Sequence, residues 1–207
     1  MKITRICCAL IFFCLSSLAL ARPCNLGKVT SVSGNAVVER NGQTFSAGTD
    51  ILICAGDKYI TDNTSVVQLS LRDRSIITVG KDSEFTVKTF KIYKQEPNVA
   101  LFELAKGAFR AVTGFATERP HRFEVRTSIA TIGVRGTDFW GGFGLTENGL
   151  DVVMLSGKGV YVNNLQGEEV ELNAEGLGTT VLSQAAPTTP KKWKEEKLAK
   201  AFATVTP

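Results

Sequence analysis

The chain has 207 residues, of which 43% are hydrophobic, 21% charged and 8% aromatic. This length and composition fit one globular domain and exclude a disordered or collagen-like chain. The formal net charge of +4 is too small to attract nucleic acid or anionic lipid by bulk charge. The single histidine, His121, excludes a metal site built from several histidines of one chain and leaves one imidazole for general base catalysis.

The N-terminus has the features of a secretory signal peptide. A basic start precedes the apolar run Ile6–Leu20, which ends in the cleavage pattern Ala19-Leu20-Ala21. We therefore predict a signal peptide over residues 1–21 and a periplasmic or secreted mature protein that begins at Arg22, with no membrane span after cleavage. An uncleaved membrane anchor is the alternative, but the run is too short for a hydrocarbon core of roughly 30 Å.

Cleavage would also change the cysteine content. It would remove Cys7, Cys8 and Cys14 and leave Cys24 and Cys54. Two cysteines in an exported chain admit one intramolecular bridge, and an oxidising compartment favours its formation. We predict a Cys24–Cys54 disulfide. A pair of buried free thiols or a redox-active pair is the alternative.

The first half of the mature chain predicts short β-strands. Runs rich in Val, Ile and Thr alternate with Gly, Asn or Asp, which is typical of an all-β domain. Asn41-Gly42 predicts a hairpin turn between strands over Val29–Arg40 and Gln43–Ala47, because this pair readily adopts positive φ angles. Ser65–Leu71 alternates apolar and polar side chains. The strand over Glu84–Ile92 changes its alternation near Lys88, which indicates a bulge.

The second half continues the β pattern with one ambiguous stretch. Val99–Val112 fits either a helix or a strand, and its neighbours favour a strand. Further strands are predicted over Phe123–Thr137, Leu150–Val162 and Gln166–Leu182. Between the first two of these, the glycine-rich aromatic segment Asp138–Gly149 is predicted to be a loop.

The composition changes after Leu182. Residues 183–189 are polar and contain proline, so they predict a linker. Pro190 can start a basic helix that ends near Val205, which gives a basic helix or tail over residues 190–207. An apolar edge of this helix, with Leu198 and Ala201, can dock on the β domain. Binding to a membrane surface is the alternative.

The order of several motifs resembles the FecR domain family. These motifs are Gly27-Lys28-Val29 with Ser33-Gly34, Ala55-Gly56-Asp57, the turn Asp73-Arg74-Ser75, the segment Ala130–Phe139 (ATIGVRGTDF) and Leu155-Ser156-Gly157. The most specific of them is Val134-Arg135-Gly136-Thr137. One departure is Arg74, which stands where the family usually has glycine.

The resemblance covers residues 27–182 and has implications for fold and function. It implies a single all-β domain of short strands within residues 22–182, solenoid-like or rolled, with a β-sandwich or jelly roll as the alternative. It also implies contacts with other proteins, because the regulator that names the family relays a surface signal in this way. We expect the chain to lack that regulator's cytoplasmic region and membrane span, so transmembrane signalling is not carried over.

Several residues of this motif region are candidate site residues. Gly133, Gly136 and Thr137 are predicted to form a structural motif, since glycine permits turns and close approach of the backbone. Arg135 is expected to pair with Asp138 or to cap carbonyl groups. Contact with a ligand is the alternative role of Arg135.

The predicted loop over residues 138–149 carries Phe139, Trp140 and Phe143. Aromatic side chains supply much of the contact area in recognition surfaces. These three residues and Arg135 are therefore the predicted binding residues. Burial of the rings in the core is the alternative.

No catalytic residue, metal site or cofactor is predicted. The sequence contains no Gly-x-Ser-x-Gly, P-loop or His-Glu-x-x-His motif, and His121 falls in a charged segment that is expected to be a loop. The chain is predicted to be a non-catalytic exported binding module that takes part in signal sensing. Its predicted partner is an envelope protein or polysaccharide and not nucleic acid. A small β enzyme acting on envelope glycans is the alternative.

Overall fold

The computed structural model describes residues 24–93, 95–114 and 121–207. The predicted signal peptide, residues 1–21, lies outside these ranges. The elements are β1 (Cys24–Ser33), β2 (Ala36–Arg40), β3 (Gln43–Ser46), β4 (Leu52–Cys54), β5 (Lys58–Thr61), β6 (Val66–Leu71), β7 (Ile76–Val79), β8 (Glu84–Lys91), β9 (Asn98–Lys106), β10 (Ala108–Val112), β11 (His121–Arg126), β12 (Ala130–Val134), β13 (Thr137–Phe143), β14 (Gly149–Gly157), β15 (Val160–Asn164), β16 (Glu169–Leu172), β17 (Leu177–Leu182), β18 (Lys191–Lys192) and the helix α1 (Glu195–Val205).

The strands form two nine-stranded sheets. The first, sheet A, has the order β18-β17-β14-β13-β10-β7-β6-β1-β4, and the second, sheet B, has the order β16-β15-β12-β11-β9-β8-β5-β2-β3. The chain passes from one sheet to the other and back, and the strands follow chain order across each sheet except at one end. This course confirms the predicted all-β, rolled arrangement with a short C-terminal helix.

The inward side chains of the two sheets form a shared core. Strand β6 shows the alternation expected from its sequence, with Val67 and Leu69 fully buried and Gln68 between them half-buried. A line of phenylalanine rings connects the sheets, with centroid separations of 5.1 to 5.6 Å between neighbours. In order along the core, these rings belong to Phe123, Phe102, Phe85, Phe109 and Phe139.

Four predicted strands are each divided between the sheets: Val29–Arg40, Val99–Val112, Leu150–Val162, which becomes β14 and β15, and Gln166–Leu182, which becomes β16 and β17. A fifth, Phe123–Thr137, is instead the β11–β12 hairpin of sheet B. Val29–Arg40 turns at Gly34, where φ is +74°, so β1 lies in sheet A and β2 in sheet B. Val99–Val112 is extended, as favoured over a helix, but it turns at Gly107 with φ of +79°. A side chain at position 107 would place its Cβ 2.5 Å from the Ser83 Cα, so the crossing between sheets requires glycine there.

Two local features of the sequence are confirmed. Asn41 and Gly42 both have positive φ angles, 52° and 78°, and they join β2 to β3 in a hairpin. The β8–β9 pairing shifts register between Val87 and Thr89, which places the predicted bulge at Lys88. A bulge turns one extra residue outward and restores the apolar alternation beyond it.

Arg74 has a positive φ of 69°, which explains why glycine is usual at this turn. We expect Arg74→Gly to raise the free energy of unfolding by about 0.5 to 1 kcal/mol, because glycine adopts this conformation without the Cβ penalty. Urea denaturation measures the change. Arg72→Gly is the matched control and should lower stability, since φ is not positive at position 72. Equal losses in the two variants would contradict the explanation.

The predicted Cys24–Cys54 disulfide is present in the structure. The two Cα atoms lie 3.9 Å apart, and the residues are direct cross-strand partners in the antiparallel pair of β1 and β4. The bridge therefore ties the first described residue to the edge strand of sheet A.

The loop predicted over Asp138–Gly149 is confined to residues 144–148. Strand β13 runs to Phe143 and β14 begins at Gly149. Gly141 and Gly142 provide room for neighbours, whereas Gly144, with a φ of +96°, belongs to the turn over residues 144–148. A Cβ at Gly142 would lie 2.5 Å from the Ala108 Cβ, and one at Gly141 would lie 3.0 Å from the Ile132 side chain.

The C-terminal helix begins later than predicted. Pro190 precedes the short strand β18, which pairs with β17, and α1 begins only at Glu195 and ends at Val205 as expected. The tail is rich in lysine, but α1 itself carries Glu195 and Glu196 in its first turn. Within the described ranges no helix has the length and apolarity to cross a bilayer.

The helix docks on the outer face of sheet A. Trp140, Val153 and Ala108 of the sheet form a second apolar cluster with Trp193, Ala201 and Val205 of the tail. The Lys197 ammonium lies 2.6 Å from the fully buried carboxylate of Asp151. Gly178 of β17 leaves the space that the Trp193 ring fills, since a Cβ there would lie 2.2 Å from the indole nitrogen.

Candidate functional site

The Val134-Arg135-Gly136-Thr137 segment carries the chain from β12 in sheet B to β13 in sheet A. Gly136 has a φ of +60°. The buried Thr137 hydroxyl lies 3.0 Å from the Arg135 carbonyl and 2.9 Å from the Gly159 carbonyl, and the Thr137 amide donates to the Thr113 hydroxyl at 2.7 Å. Gly136 and Thr137 therefore fix the crossing between the sheets.

Gly133 has a different position. It lies within β12 without a positive φ, and a Cβ there would meet only atoms of Tyr161, at 3.9 Å. The backbone does not require glycine at this position. Because Gly133 has no side chain, the outer face of sheet B has a depression there, beside Tyr161, the cross-strand partner of Gly133 on β15.

Arg135 is exposed on the same outer face. Its expected partner, Asp138, is instead held by Arg110 of β10, whose guanidinium donates two hydrogen bonds of 3.0 and 2.7 Å to the carboxylate. Among the described residues, the Arg135 side chain has no ion pair or hydrogen bond. Contact with a ligand remains a prediction for this residue.

A charged network lies next to Arg135 on β11. Arg122 and Arg126 both donate hydrogen bonds to the carboxylate of Glu124, which lies between them. Burial alone would raise the pKa of Glu124, but the hydrogen bonds and charges of the two arginines outweigh it and lower that pKa below its ordinary value. Glu124 thus stays ionised and holds both guanidinium groups on the outer face.

The lowered pKa of Glu124 predicts a pH-dependent contribution to stability. A carboxylate with a depressed folded-state pKa stabilises the fold above its unfolded-state pKa and loses this contribution as the pH falls through the folded-state value. We therefore expect Glu124→Gln to destabilise the protein near pH 7 and the gap to wild type to close toward pH 3. Urea denaturation at both pH values measures it. Glu147→Gln, at an exposed residue that forms no ion pair with any described residue, should show no gap at either pH.

The predicted aromatic binding surface is largely buried. Phe139 and Trp140 are fully buried, the first in the shared core and the second beneath α1. A buried ring offers no contact surface to a partner, so the predicted binding roles of Phe139 and Trp140 were wrong. Phe143 is half-buried at the end of β13 and lines an open groove of about 460 Å³ beside Lys81, Lys106 and α1. The binding role of Phe143 stays a prediction.

His121 does not lie in a loop as expected. It begins β11, and its Nε2 lies 2.8 Å from the Val134 carbonyl oxygen on the neighbouring strand. In the described part of the chain, no group of three or more histidine, cysteine, aspartate or glutamate side chains lies close enough together to hold a metal ion.

Sequence reasoning missed the neighbours of Arg135 on sheet B. Arg122 and Glu124 were not recognised because Phe123–Thr137 was predicted as one strand, whereas β11 folds back on β12 as a hairpin. Lys91 was not recognised because β8 is far from the motif in sequence, and its proximity depends on the parallel pairing of β9 with β11, which no local pattern indicates. The one available signal was the polar alternation of His121–Arg126, which predicts an exposed outer face.

The fold and this surface define a rolled β domain of two sheets whose motif arginine faces solvent. Residues 57–158 match the family model described as FecR protein. The resemblance to the FecR family that the motifs indicated is therefore confirmed for this segment. The match includes Asp57 and the whole Val134-Arg135-Gly136-Thr137 segment, whereas α1 lies beyond it.

Two solved structures share the fold. Both are crystal structures of a proposed anti-sigma factor from Parabacteroides distasonis ATCC 8503, with TM-scores of 0.55 and 0.54 and 15% sequence identity. Each comparison covers 69% of this chain and 62% of that chain, so this chain spans less than two thirds of the other protein. No curated protein matches the chain.

Proposed function

We propose that the chain is exported and acts without turnover as a protein-binding module in signal sensing. The observation that carries this proposal is the exposed Arg135 in the most specific motif of the FecR match. Gly136 and Thr137 of that motif serve the crossing between sheets, whereas the arginine side chain has no such structural role. An exposed guanidinium suits contact with a carboxylate of a partner.

Two further observations support the proposal. The structures of similar fold belong to a protein described as a proposed anti-sigma factor, a class that works through contacts with other proteins. The Cys24–Cys54 disulfide is the kind of bridge that persists in an oxidising compartment, which agrees with a predicted signal peptide over residues 1–21. A protein is thus the favoured partner over a polysaccharide.

Export is tested by the mass of the protein in its source organism. The intact protein from the cell envelope or medium should begin at Arg22 with its two remaining cysteines oxidised. A product that retains residues 1–21 would contradict export by signal cleavage.

The binding role is tested by photo-crosslinking in the same organism. A photoreactive amino acid at position 135 should give an adduct with one protein species, while the same residue at position 72, an exposed arginine on sheet A's side of the domain, should not. An adduct that is destroyed by periodate and resists protease would indicate a polysaccharide partner. Equal adducts at both positions would contradict a site at Arg135.

A further inference from the structure

Three exposed basic residues lie in one row across the outer face of sheet B. Lys91 of β8 pairs with Val99 of β9, and Val99 pairs with Arg122 of β11. The register of β11 with β12 pairs Glu124 with Gly133, and its extension by two residues sets Arg122 against Arg135, which directly follows the end of β12. We call Lys91, Arg122 and Arg135 the basic row. At about 4.8 Å per strand, it extends roughly 14 Å.

The position of Arg135 opposite Arg122 has an energetic cost. Like charges directly opposite each other on neighbouring strands destabilise a sheet. Glu124 offsets part of this repulsion, but its carboxylate is shared with Arg126. Lys91 and Arg135 have no acidic partner among the described residues. An anionic group placed over the row would therefore relieve repulsion that the protein leaves uncompensated.

The surroundings of the basic row restrict what can bind. Val99 lies between Lys91 and Arg122, and Leu101 lies beside the row on the same strand. Both are half-buried and form an apolar floor. Acidic side chains border the row: Glu124 on the same strand as Arg122, and Glu171 beside Tyr161 on the next pair of strands. The favourable potential is thus a narrow band and not a broad positive face.

We infer that the basic row binds an acidic segment of a partner protein in an extended conformation, an inference that rests on the proposed function. An extended chain rises about 3.4 Å per residue, so carboxylates at positions i and i+4 are about 14 Å apart and point to the same side. This spacing matches Lys91 and Arg135, and an apolar residue between the carboxylates can cover the floor. The binding is electrostatic and shallow, as suits a transient signalling contact.

A lipid surface fits these charges less well. Anionic headgroups form a plane, which would bring negative charge against Glu124 and Glu171 as well as against the row. A single extended segment can follow the row and avoid both carboxylates. The occupant is therefore a peptide segment. The experiment below also measures binding to lipid vesicles and so distinguishes it from a membrane.

The test uses the mature protein and a synthetic peptide with two glutamates four residues apart around a central valine. Fluorescence anisotropy should show binding at low salt that weakens as salt is added. Lys91→Glu and Arg135→Glu should each weaken it about fivefold. A peptide with lysines in place of the glutamates should not bind wild type but should gain affinity for the double variant. Arg72→Glu, with the same change in net charge, should leave binding unchanged.

Three results would overturn the inference. The first is that Arg72→Glu weakens peptide binding as much as the row variants do. The second is that the protein binds vesicles with 30% anionic lipid and that this binding depends on the basic row. The third is that the acidic and the lysine peptides bind with equal affinity. Circular dichroism and the thermal midpoint verify that both row variants are folded. If the peptides fail but the crosslink at position 135 persists, the proposed function stands and only the acidic nature of the partner is wrong.

Discussion

Replacing Trp140 with alanine is expected to lower the free energy of unfolding by about 3 to 5 kcal/mol, as for other large buried aromatic residues. The indole is fully buried and packs edge to face on Trp193 with centroids 6.0 Å apart. Its Nε1 donates a hydrogen bond of 3.0 Å to the Thr204 hydroxyl. The substitution therefore opens a cavity and removes a bond that anchors the end of α1.

The thermal midpoint is the direct measurement, and a drop of about 10 °C is expected for a protein of this size. Trp193→Ala should give a comparable loss, and the double variant should lose less than the sum, because the two rings contact each other. A variant with an unchanged midpoint and weaker partner binding would restore Trp140 to the surface role that its sequence context suggested.

Local patterns were sufficient to predict the β character of the chain and some of its turns. The Asn41-Gly42 turn depends only on its own two residues, and the bulge at Lys88 follows from a change of alternation within one strand. The same holds for Cys24 and Cys54, whose pairing is the only one that two cysteines allow. These features could be predicted because the information is contained in a few consecutive residues.

The assignment of strands to sheets could not be predicted in the same way. Nothing in the run Val29–Arg40 shows that Gly34 sends its two halves to different sheets. In the segment 138–149, glycine next to aromatic residues has two explanations, loop flexibility and close packing. The second holds at Gly142, which lies against Ala108 of a strand distant in sequence.

For the candidate site too, the sequence identified the motif residue but not the neighbours that strand pairing brings to it. The sequence identified Arg135 by its motif, but its proposed partner Asp138 faces sheet A's outer surface and binds Arg110. Its true neighbour by register, Arg122, is separated from it by the turn between β11 and β12. The basic row emerges only when four strands of sheet B are placed side by side.

Asp57 is the site of the second large expected effect, and its environment explains the Gly56-Asp57 motif. The carboxylate is fully buried and accepts two hydrogen bonds of 2.7 Å from Arg40. It also accepts one of 2.8 Å from the Cys54 amide, beside the disulfide. Gly56 turns the chain at a φ of +89°. The motif therefore ties the edge of sheet A, through Cys54, to Arg40 of sheet B.

Asp57→Asn is expected to cost about 3 kcal/mol or more, because breaking a buried ion pair leaves the arginine without its counter-charge. The asparagine amide also directs hydrogen atoms toward groups that are themselves donors. Asp50→Asn is the matched control, since it removes an equally short pair, Lys28–Asp50 at 2.7 Å, in which both side chains are more than half exposed. Exposed pairs contribute about 0 to 1 kcal/mol. Urea denaturation of the oxidised protein separates the two variants, and equal losses would mean that the Asp57 cluster does not hold the two sheets together.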